Sequence, residues 1–302
     1  MATASSQHPG VRLFKKVAIY GPLTVFAIVT LVPFAYLIAS AFKTKDAFFS
    51  SPFLPMQRDA EGNAAPWYAL HQIDWSGLTL NNFASLFGSS GHFAQGIVNS
   101  IFFASASAIV ATIGSAMGGY ALAKFKWKGR GFATNVVLAS LVVPGALLLA
   151  PGYQVLYQLG LLDSYAGLIL PMAAPAFGVF LFRQSIVQAV PNELLEAGRM
   201  DGCGEIRLFT IVVLPLVKPM VGAFVLITFL GSWNNFIGPQ IVLQSPEKQP
   251  LAVQVSQLSG VYETAYGPIM AGTVLAVAPI LILFLMLQRD FIAGLTSGAV
   301  KG

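Results

Sequence analysis

Long uncharged stretches dominate the chain and are separated by shorter segments that carry most of the charge. About 18 or more consecutive apolar residues are enough to cross a bilayer as a helix. Six such stretches occur, at residues 17–42, 93–123, 132–162, 164–182, 219–243 and 264–288. Pro144 and Pro151 interrupt the third stretch. The pattern predicts an all-α, polytopic membrane protein with six transmembrane helices, in which a membrane domain at 17–302 follows a tail at 1–16.

The composition leads to the same class of protein. The chain of 302 residues is 56% hydrophobic and 10% charged, with a mean hydropathy of +0.71. Soluble domains carry roughly 25% charged residues, so an ordinary soluble domain and a disordered chain are both excluded. One cysteine, Cys203, excludes a disulfide framework. His8, His71 and His92 are scattered, which disfavours a histidine metal site.

The basic residues are divided unevenly between the two sides that six spans define. Cytoplasmic segments of membrane proteins are enriched in Lys and Arg. Four of the 17 basic residues lie opposite the N-terminus, at Lys43, Lys45, Arg58 and Lys248, and the rest lie on its side. We therefore expect both termini to be cytoplasmic. The net charge of +5 reflects these segments and does not indicate nucleic-acid binding.

Asp, Glu, Lys, Arg and His are missing from all six stretches. Carriers driven by protons or sodium place such residues within the bilayer, so ion-driven transport is disfavoured. No Gly-Lys pair occurs, so the phosphate-binding loop of an ATPase is absent from this chain. We expect no catalytic residue, metal or cofactor here. Small residues in the second stretch, such as Ser107, Ser115 and Gly119, are expected to allow close helix packing.

A long segment at residues 43–93 is predicted to be external and largely irregular, because prolines and glycines are frequent in it. Its aromatic residues include Trp67, Tyr68 and Trp75. They fit either an aromatic belt at the membrane interface or contacts with an external protein. Residues 80–83 fit the start of a short helix.

The segment at residues 183–218 is predicted to be cytoplasmic and to contain two short helices. Asn192 is placed to cap the first helix, and Gly202 and Gly204 are placed to end it. The second helix is expected to begin near Glu205 and to stop or kink at Pro215. A helix, a glycine hinge and a second helix can be held by a soluble partner, although a solvated connector fits the same pattern.

The first of these helices is predicted to be amphipathic. Its apolar residues are Leu194, Leu195, Ala197 and Met200. Its charged residues, spaced three apart, are Glu193, Glu196 and Arg199.

This segment resembles a motif of a known family. The residues that carry the resemblance are Glu196, Ala197, Gly198, Asp201 and Gly202, followed by Pro215. They are similar to the "EAA" loop in the membrane subunits of binding-protein-dependent ABC importers. Gly198 and Cys203 stand where the family has alanine. Residues 233–236 (Trp-Asn-Asn-Phe) and 294–302 resemble carbohydrate importers of the maltose type, and the likeness extends over about 15–302.

The resemblance implies a role for each part. Residues 192–203 would form a coupling helix that docks in a cleft of a separate ATPase subunit, which binds ATP and Mg. The six residues of the motif would carry this coupling. The implied partners are a second permease subunit, two ATP-binding subunits, an external substrate-binding protein and a carbohydrate. The segments at 43–93 and 244–267 would face the binding protein.

Candidates for the solute pathway are polar or aromatic residues near the spans. They are Asn99, Tyr153, Gln154, Asn234 and Asn235. Amides can bond sugar hydroxyls and aromatic rings can stack on sugar rings, although each amide could equally bond a neighbouring helix. Another polar solute, such as a glycerol phosphodiester or an amino acid, stays open, as does an uncoupled channel or facilitator.

Overall fold

The regular structure of the chain is helical, as predicted. The computed structural model describes residues 9–59, 61–88, 92–259 and 265–297. Within these ranges, the only strand-like pairings are isolated bridges at Lys43–Leu78, Met56–Ile73 and Arg58–Ala64. The chain divides into two compact units, one within Met1–Ser89 and Leu258–Leu275 and the other within Ser90–Gln257 and Ala276–Gly302.

The first unit begins with a long helix. Its helices are α1 (Pro9–Ala41), α2 (Lys45–Ser50) and α3 (Asn81–Gly88). Two 3-10 turns lie between α2 and α3, at Leu70–Gln72 and Trp75–Gly77. α3 confirms the short helix expected near residue 80, whereas α2 was not predicted. Thr44 caps α2 by accepting a hydrogen bond from the Ala47 amide.

A buried lysine organises the segment that follows α1. The Lys43 ammonium donates hydrogen bonds to the carbonyl oxygens of Ser51 (2.6 Å) and Pro52 (3.0 Å). Burial lowers the pKa of this ammonium. The Asn82 amide of α3 donates to the carbonyl oxygens of Ala41 (2.9 Å) and Lys43 (2.8 Å). The segment therefore folds back on itself through polar contacts with backbone carbonyls.

The second unit contains the remaining helices. They are α4 (His92–Lys124), α5 (Arg130–Ser140), α6 (Leu149–Gln158), α7 (Tyr165–Ile169), α8 (Ala176–Ala189), α9 (Asn192–Met200), α10 (Glu205–Leu208), α11 (Leu214–Leu216), α12 (Lys218–Trp233), α13 (Ile237–Val242) and α14 (Leu251–Gln257). A final helix, α15 (Tyr266–Ser297), begins in the first unit and ends in the second. Residues 298–302, part of the tail that carried the family resemblance, lie outside the described residues.

The helices supply six candidate spans among the residues that the structure describes. Three single helices are long and apolar enough to cross a membrane: Lys16–Ala41, His92–Lys124 and Tyr266–Met286. Three bent pairs pass the same test: Arg130–Ser140 with Gly145–Gln158 (101°), Tyr165–Met172 with Ala176–Ala189 (41°) and Glu205–Leu216 with Lys218–Trp233 (85°). The first bend lies at Pro144, as predicted, whereas Pro151 sits in the first turn of α6, where proline is tolerated.

Two of the apolar stretches do not coincide with the helices. α8 continues through Arg183 to Ala189, beyond the predicted end at residue 182, because no proline or glycine interrupts it there. Val190, which precedes a proline, is extended and ends the helix. The fifth stretch, 219–243, divides into α12 and α13 after Trp233.

Small residues bring α4 and α8 close together, as predicted. A β-carbon at Gly119 would lie 2.7 Å from Phe182 Cβ, and one at Gly178 would collide with Ser115 Oγ. The side chains of Phe182 and Phe224 meet edge to face at 5.4 Å. The second unit therefore has a close-packed core, in which α4 contacts its neighbours through backbone as well as side chains.

Candidate coupling site

The helix α9 begins after a proline, not at the predicted cap. Pro191 occupies the N-cap position with extended dihedral angles, and its side chain has no oxygen that could accept a hydrogen bond from the helix. Asn192 is the first helical residue, so its predicted capping role is wrong. Its side-chain oxygen accepts a hydrogen bond of 2.9 Å from Lys124 Nζ on α4 instead. Glu193 lies in the first turn, where the helix dipole favours a negative charge.

A single buried side chain seats α9 on the second unit. Leu195 is 1% exposed and packs in a cluster with residues of α8 and α10, including Ile186 and Leu208. The other apolar residues predicted for the same face are exposed. Leu194 is 47% exposed and Met200 is 89% exposed. The neighbouring helices cover only the line of α9 that contains Leu195, so the rest of the predicted apolar side is uncovered within this chain.

The C-terminus of α9 is a complete Schellman cap. The Cys203 amide donates to the Gly198 carbonyl (2.9 Å), and the Gly202 amide donates to the Arg199 carbonyl (3.0 Å). Gly202 has a φ of +80°, a left-handed conformation that glycine adopts readily because it has no β-carbon. The predicted glycine stop is confirmed at Gly202.

Close packing fixes the turn between α9 and α10. A β-carbon at Gly198 would lie 2.5 Å from Leu208 Cδ2, and Leu208 is fully buried. The absence of a side chain at Gly198 therefore lets α10 approach α9 directly. Ile206, on the outer side of α10, is 80% exposed.

The second helix of the segment begins at Glu205, as predicted, but it continues differently. Residues Phe209–Val213 form a π-helical turn, which the sequence did not indicate. Pro215 lies in α11, and the predicted break there is displaced, because the chain turns by 85° between Leu216 and Lys218. Proline fits the start of a helix, since its missing N–H has no partner there.

An ion pair connects the two ends of this turn. Arg199 Nε lies 2.6 Å from Glu205 Oε1, so Arg199 pairs with α10 and not with the acidic residues of its own helix. This hydrogen bond raises the pKa of the Arg199 guanidinium. The second carboxylate oxygen, Glu205 Oε2, accepts a hydrogen bond of 2.8 Å from the Tyr120 hydroxyl on α4.

The predicted coupling residues are largely brought together. Those on α9 and its cap are Glu196, Ala197, Gly198, Asp201 and Gly202. Glu196, Ala197 and Asp201 are exposed, whereas Pro215 lies beyond the π-helical turn. The site is therefore a short helix that is held by one face and presents the other.

Two of the five predicted pathway residues, Tyr153 and Asn235, are brought together, and the other three are not. Asn99 is buried, and its amide donates to the carbonyl oxygens of Glu247 (2.8 Å) and Gln249 (3.1 Å). Asn99 thus holds the chain between α13 and α14. Asn234 is exposed and donates to Leu230 of its own helix (2.9 Å).

Two of the candidates share a cavity of about 720 Å³ in the second unit. Tyr153 and Asn235 line it together with apolar residues of α6, α7 and α13, such as Leu168 and Ile241. The Asn235 side-chain oxygen accepts a hydrogen bond from the Gly238 amide (3.1 Å). Gln154, one residue from Tyr153, is exposed.

Sequence reasoning missed a second polar cluster. Asp163 accepts hydrogen bonds from the Gln244 amide (3.0 Å) and the Ser245 amide (2.9 Å), and its other oxygen lies 2.7 Å from Lys248 Nζ. Lys248, and then Ser245, hold the pKa of this carboxyl well below its usual range. The sequence signal was weak, since Asp163 and Lys248 lie far apart in the chain.

Comparison with known proteins places the chain in a family. The family described as "Binding-protein-dependent transport system inner membrane component" matches residues 110–295. The arabinooligosaccharides transport system permease protein AraQ of Halalkalibacterium halodurans is 39% identical over 76% of this chain and 82% of its own. The lactose transport system permease protein LacG of Rhizobium radiobacter is 36% identical over 67% and 74%.

A solved structure has the same fold. A bacterial ABC transporter chain involved in the import of the acidic polysaccharide alginate superposes with a TM-score of 0.73. It is 22% identical and covers 94% of this chain and 99% of its own. The chain belongs to the inner membrane components of binding-protein-dependent transport systems. It is a multi-pass permease subunit of an ABC importer and not an enzyme, which confirms the predicted class.

Proposed function

We propose that this permease subunit translocates a carbohydrate and that α9 is the helix on which a separate ATPase subunit docks. The observation that carries the proposal is the exposure of one face of a firmly seated helix. Leu195 and the Schellman cap hold α9, while Leu194, Glu196 and Met200 face outward. An apolar surface rimmed by charge is typical of a protein interface.

The assembly that we propose contains four further chains. A second permease subunit completes the pathway, two ATP-binding subunits bind ATP and Mg, and an external binding protein delivers the solute. The uneven distribution of basic residues supports cytoplasmic termini and a cytoplasmic α9. The segment 43–93 then lies on the side of the binding protein.

A carbohydrate is the solute that the chain supports best. The relatives named for arabinooligosaccharides and lactose support it. The cavity that holds Tyr153 and Asn235 also supports it, because an aromatic ring and an amide suit a sugar ring and its hydroxyls. Uptake by the reconstituted importer should be measured with labelled arabinooligosaccharides, lactose, a glycerol phosphodiester and an amino acid. Uptake of one of the last two alone would replace the carbohydrate assignment.

The one cysteine of the chain offers a direct test of the docking surface. Cys203 is partly exposed at the cap of α9. A membrane-impermeant maleimide should label it in inverted vesicles and not in right-side-out vesicles. Co-expression of the ATPase subunits should protect it. A matched control is Glu61→Cys in a Cys203→Ser chain, which should show the opposite sidedness and no protection.

Two results would contradict the docking proposal. Labelling of Cys203 from outside would place α9 on the wrong side of the membrane. Equal labelling with and without the ATPase subunits, in a complex that co-purifies, would place the contact elsewhere.

Glu196→Lys should lower uptake without loss of membrane insertion, because it reverses a charge on the exposed face.

A further inference from the structure

The last turn of α4 holds the segment around α9 at two points. Tyr120 and Lys124 are four residues apart on α4, so their side chains project from the same face. The Tyr120 hydroxyl donates to Glu205 Oε2 (2.8 Å), and Glu205 Oε1 binds Arg199 near the C-terminal end of α9. Lys124 Nζ donates to the Val190 carbonyl (2.6 Å) and the Asn192 side chain (2.9 Å) at its N-terminal end.

We propose that Tyr120 and Lys124 are positioning residues that transmit the movement of α9 to α4 during transport. This inference rests on the proposed function, since it requires that an ATPase moves α9. We call the two residues and their hydrogen bonds the α4 clamp. The clamp makes α4 the helix that moves with α9, although α4 is separated from α9 by almost seventy residues of sequence.

The hydrogen bonds of the clamp fix the position of α9 more narrowly than the apolar contacts of the same region do. Leu195 and Leu208 hold α9 through apolar contacts, which are individually weak and have no preferred direction. A hydrogen bond to a charged group is stronger and depends steeply on distance and angle. The clamp therefore sets the position of α9 along α4, which a leucine contact alone does not do.

Each contact of the clamp is itself held in place. The ring of Tyr120 is buried and lies 5.2 Å from the ring of Phe125 and 5.7 Å from that of Phe209. Its hydroxyl consequently has little freedom to leave Glu205. Lys124 bonds the carbonyl that follows α8 and the first residue of α9, so it bridges the junction between these helices.

The core transmits such a movement further, because α4 is packed without space for sliding. The close approaches at Gly119 and Gly178 join α4 to α8 through backbone contacts. A displacement of the end of α4 therefore moves the helix as a body, since packed interiors deform little.

The test uses the complete importer, with both permease subunits, both ATPase subunits and the binding protein, in proteoliposomes. The variants are Tyr120→Phe, which removes one hydroxyl, and Lys124→Met, which removes one ammonium group. Solute imported per ATP hydrolysed should fall about five- to tenfold in each, which is the lower end of the range that is typical of energetic coupling between sites. Lys124→Arg should recover most of the ratio, because it keeps a donor at this position.

Matched controls separate coupling from general damage. Lys128→Met removes an exposed charge from the same basic segment, and Tyr20→Phe removes a hydroxyl from the exposed surface of α1. Both should keep the wild-type ratio. The thermal unfolding midpoint of each complex should be measured as well, since a merely structural role would lower the midpoint and leave the ratio of import to hydrolysis unchanged.

The outcomes distinguish the two proposals. If the wild-type complex imports no solute, the proposed function fails. If the wild-type complex imports solute and both variants keep its ratio of import to hydrolysis, the α4 clamp has no role in coupling and the inference is overturned.

Discussion

The Leu208 side chain of α10 occupies the space beside Gly198 of α9 that a side chain at residue 198 would need. A β-carbon at Gly198 would lie 2.5 Å from Leu208 Cδ2. The family motif has alanine at this position. This chain has glycine there, opposite the buried side chain of Leu208. The departure is therefore explained by packing and does not weaken the resemblance.

Gly198→Ala is expected to destabilise the turn between α9 and α10. Alanine improves helix propensity by about 1 kcal/mol, whereas overpacking a buried site typically costs about 1–3 kcal/mol. We expect a net loss of about 1 kcal/mol, measured as a lower thermal unfolding midpoint of the purified complex. Adding Leu208→Val should restore part of the loss. A Gly198→Ala chain at least as stable as the wild type would contradict this account.

Gly202→Ala tests the left-handed conformation of the cap. Neither Gly202 nor Gly204 has a neighbouring atom in the way of a β-carbon, but only Gly202 has a positive φ, +80° against −70°. Alanine at Gly202 should cost about 1–2 kcal/mol. Hydrogen exchange of the Cys203 amide, which bonds Gly198, should accelerate correspondingly. Gly204→Ala is the matched control and should leave this exchange unchanged, while equal effects at both positions would refute the argument.

The contact of Asp163 with Lys248 predicts a loss of local stability in acid. Because the pKa of Asp163 is lowered in the folded chain, its stabilising effect is fully present above the pKa of an unfolded Asp, about 4. That effect is lost progressively as the pH falls from there through the lower folded value. Protection of the Gln244 and Ser245 amides, corrected for intrinsic exchange, should therefore be constant from pH 7 to about pH 5 and should fall below it.

Lys248→Met provides the comparison. Without the ammonium, the main cause of the lowered pKa of Asp163 is removed, so amide protection should be weaker at pH 7 and should change less as the pH falls below about 5. Asp163→Asn should weaken protection at every pH. Identical pH profiles for the wild-type and Lys248→Met chains would show that the ion pair does not control this carboxylate.

Loss of the Asn99 side chain should lower stability, whereas loss of the Tyr153 side chain should affect uptake. Asn99→Leu leaves two carbonyl oxygens, those of Glu247 and Gln249, without their buried donor, so it should cost about 2 kcal/mol or more. Tyr153→Ala removes an aromatic ring from a cavity wall. It should raise the KM for uptake of the solute with little change in the unfolding midpoint. A stable Asn99→Leu complex with an altered KM would return Asn99 to the solute pathway.

Much of the fold could be predicted because local chemistry decides it. Prolines break the third stretch at Pro144, and glycine ends α9 at Gly202, as expected. The long helix α4 runs from His92 to Lys124, close to the predicted 93–123, because no residue within it interrupts an apolar helix. These outcomes depend on the conformational limits of single residues and on length.

The candidate site was only partly predictable. The pattern gave Leu194, Leu195 and Met200 as apolar residues of one amphipathic helix, and within this chain only Leu195 is covered. Helical periodicity says which residues share a face and not how wide a neighbouring surface is. Asn192 was assigned to a cap, whereas the approach of Lys124 from α4 gives it another role. The π-helical turn at Phe209–Val213 left no recognisable pattern.

The sequence by itself determined the class of protein, the apolar stretches that supply its candidate spans and the location of the short helix that bears the family motif. Apolar length, charge distribution and glycine and proline positions act locally, so they can be read along the chain. The tertiary structure decided which residues hold that helix. Tyr120, Lys124 and Glu205 come together only when α4 and α10 pack beside α9, because hydrogen bonds between distant segments depend on positions in space that no local pattern encodes.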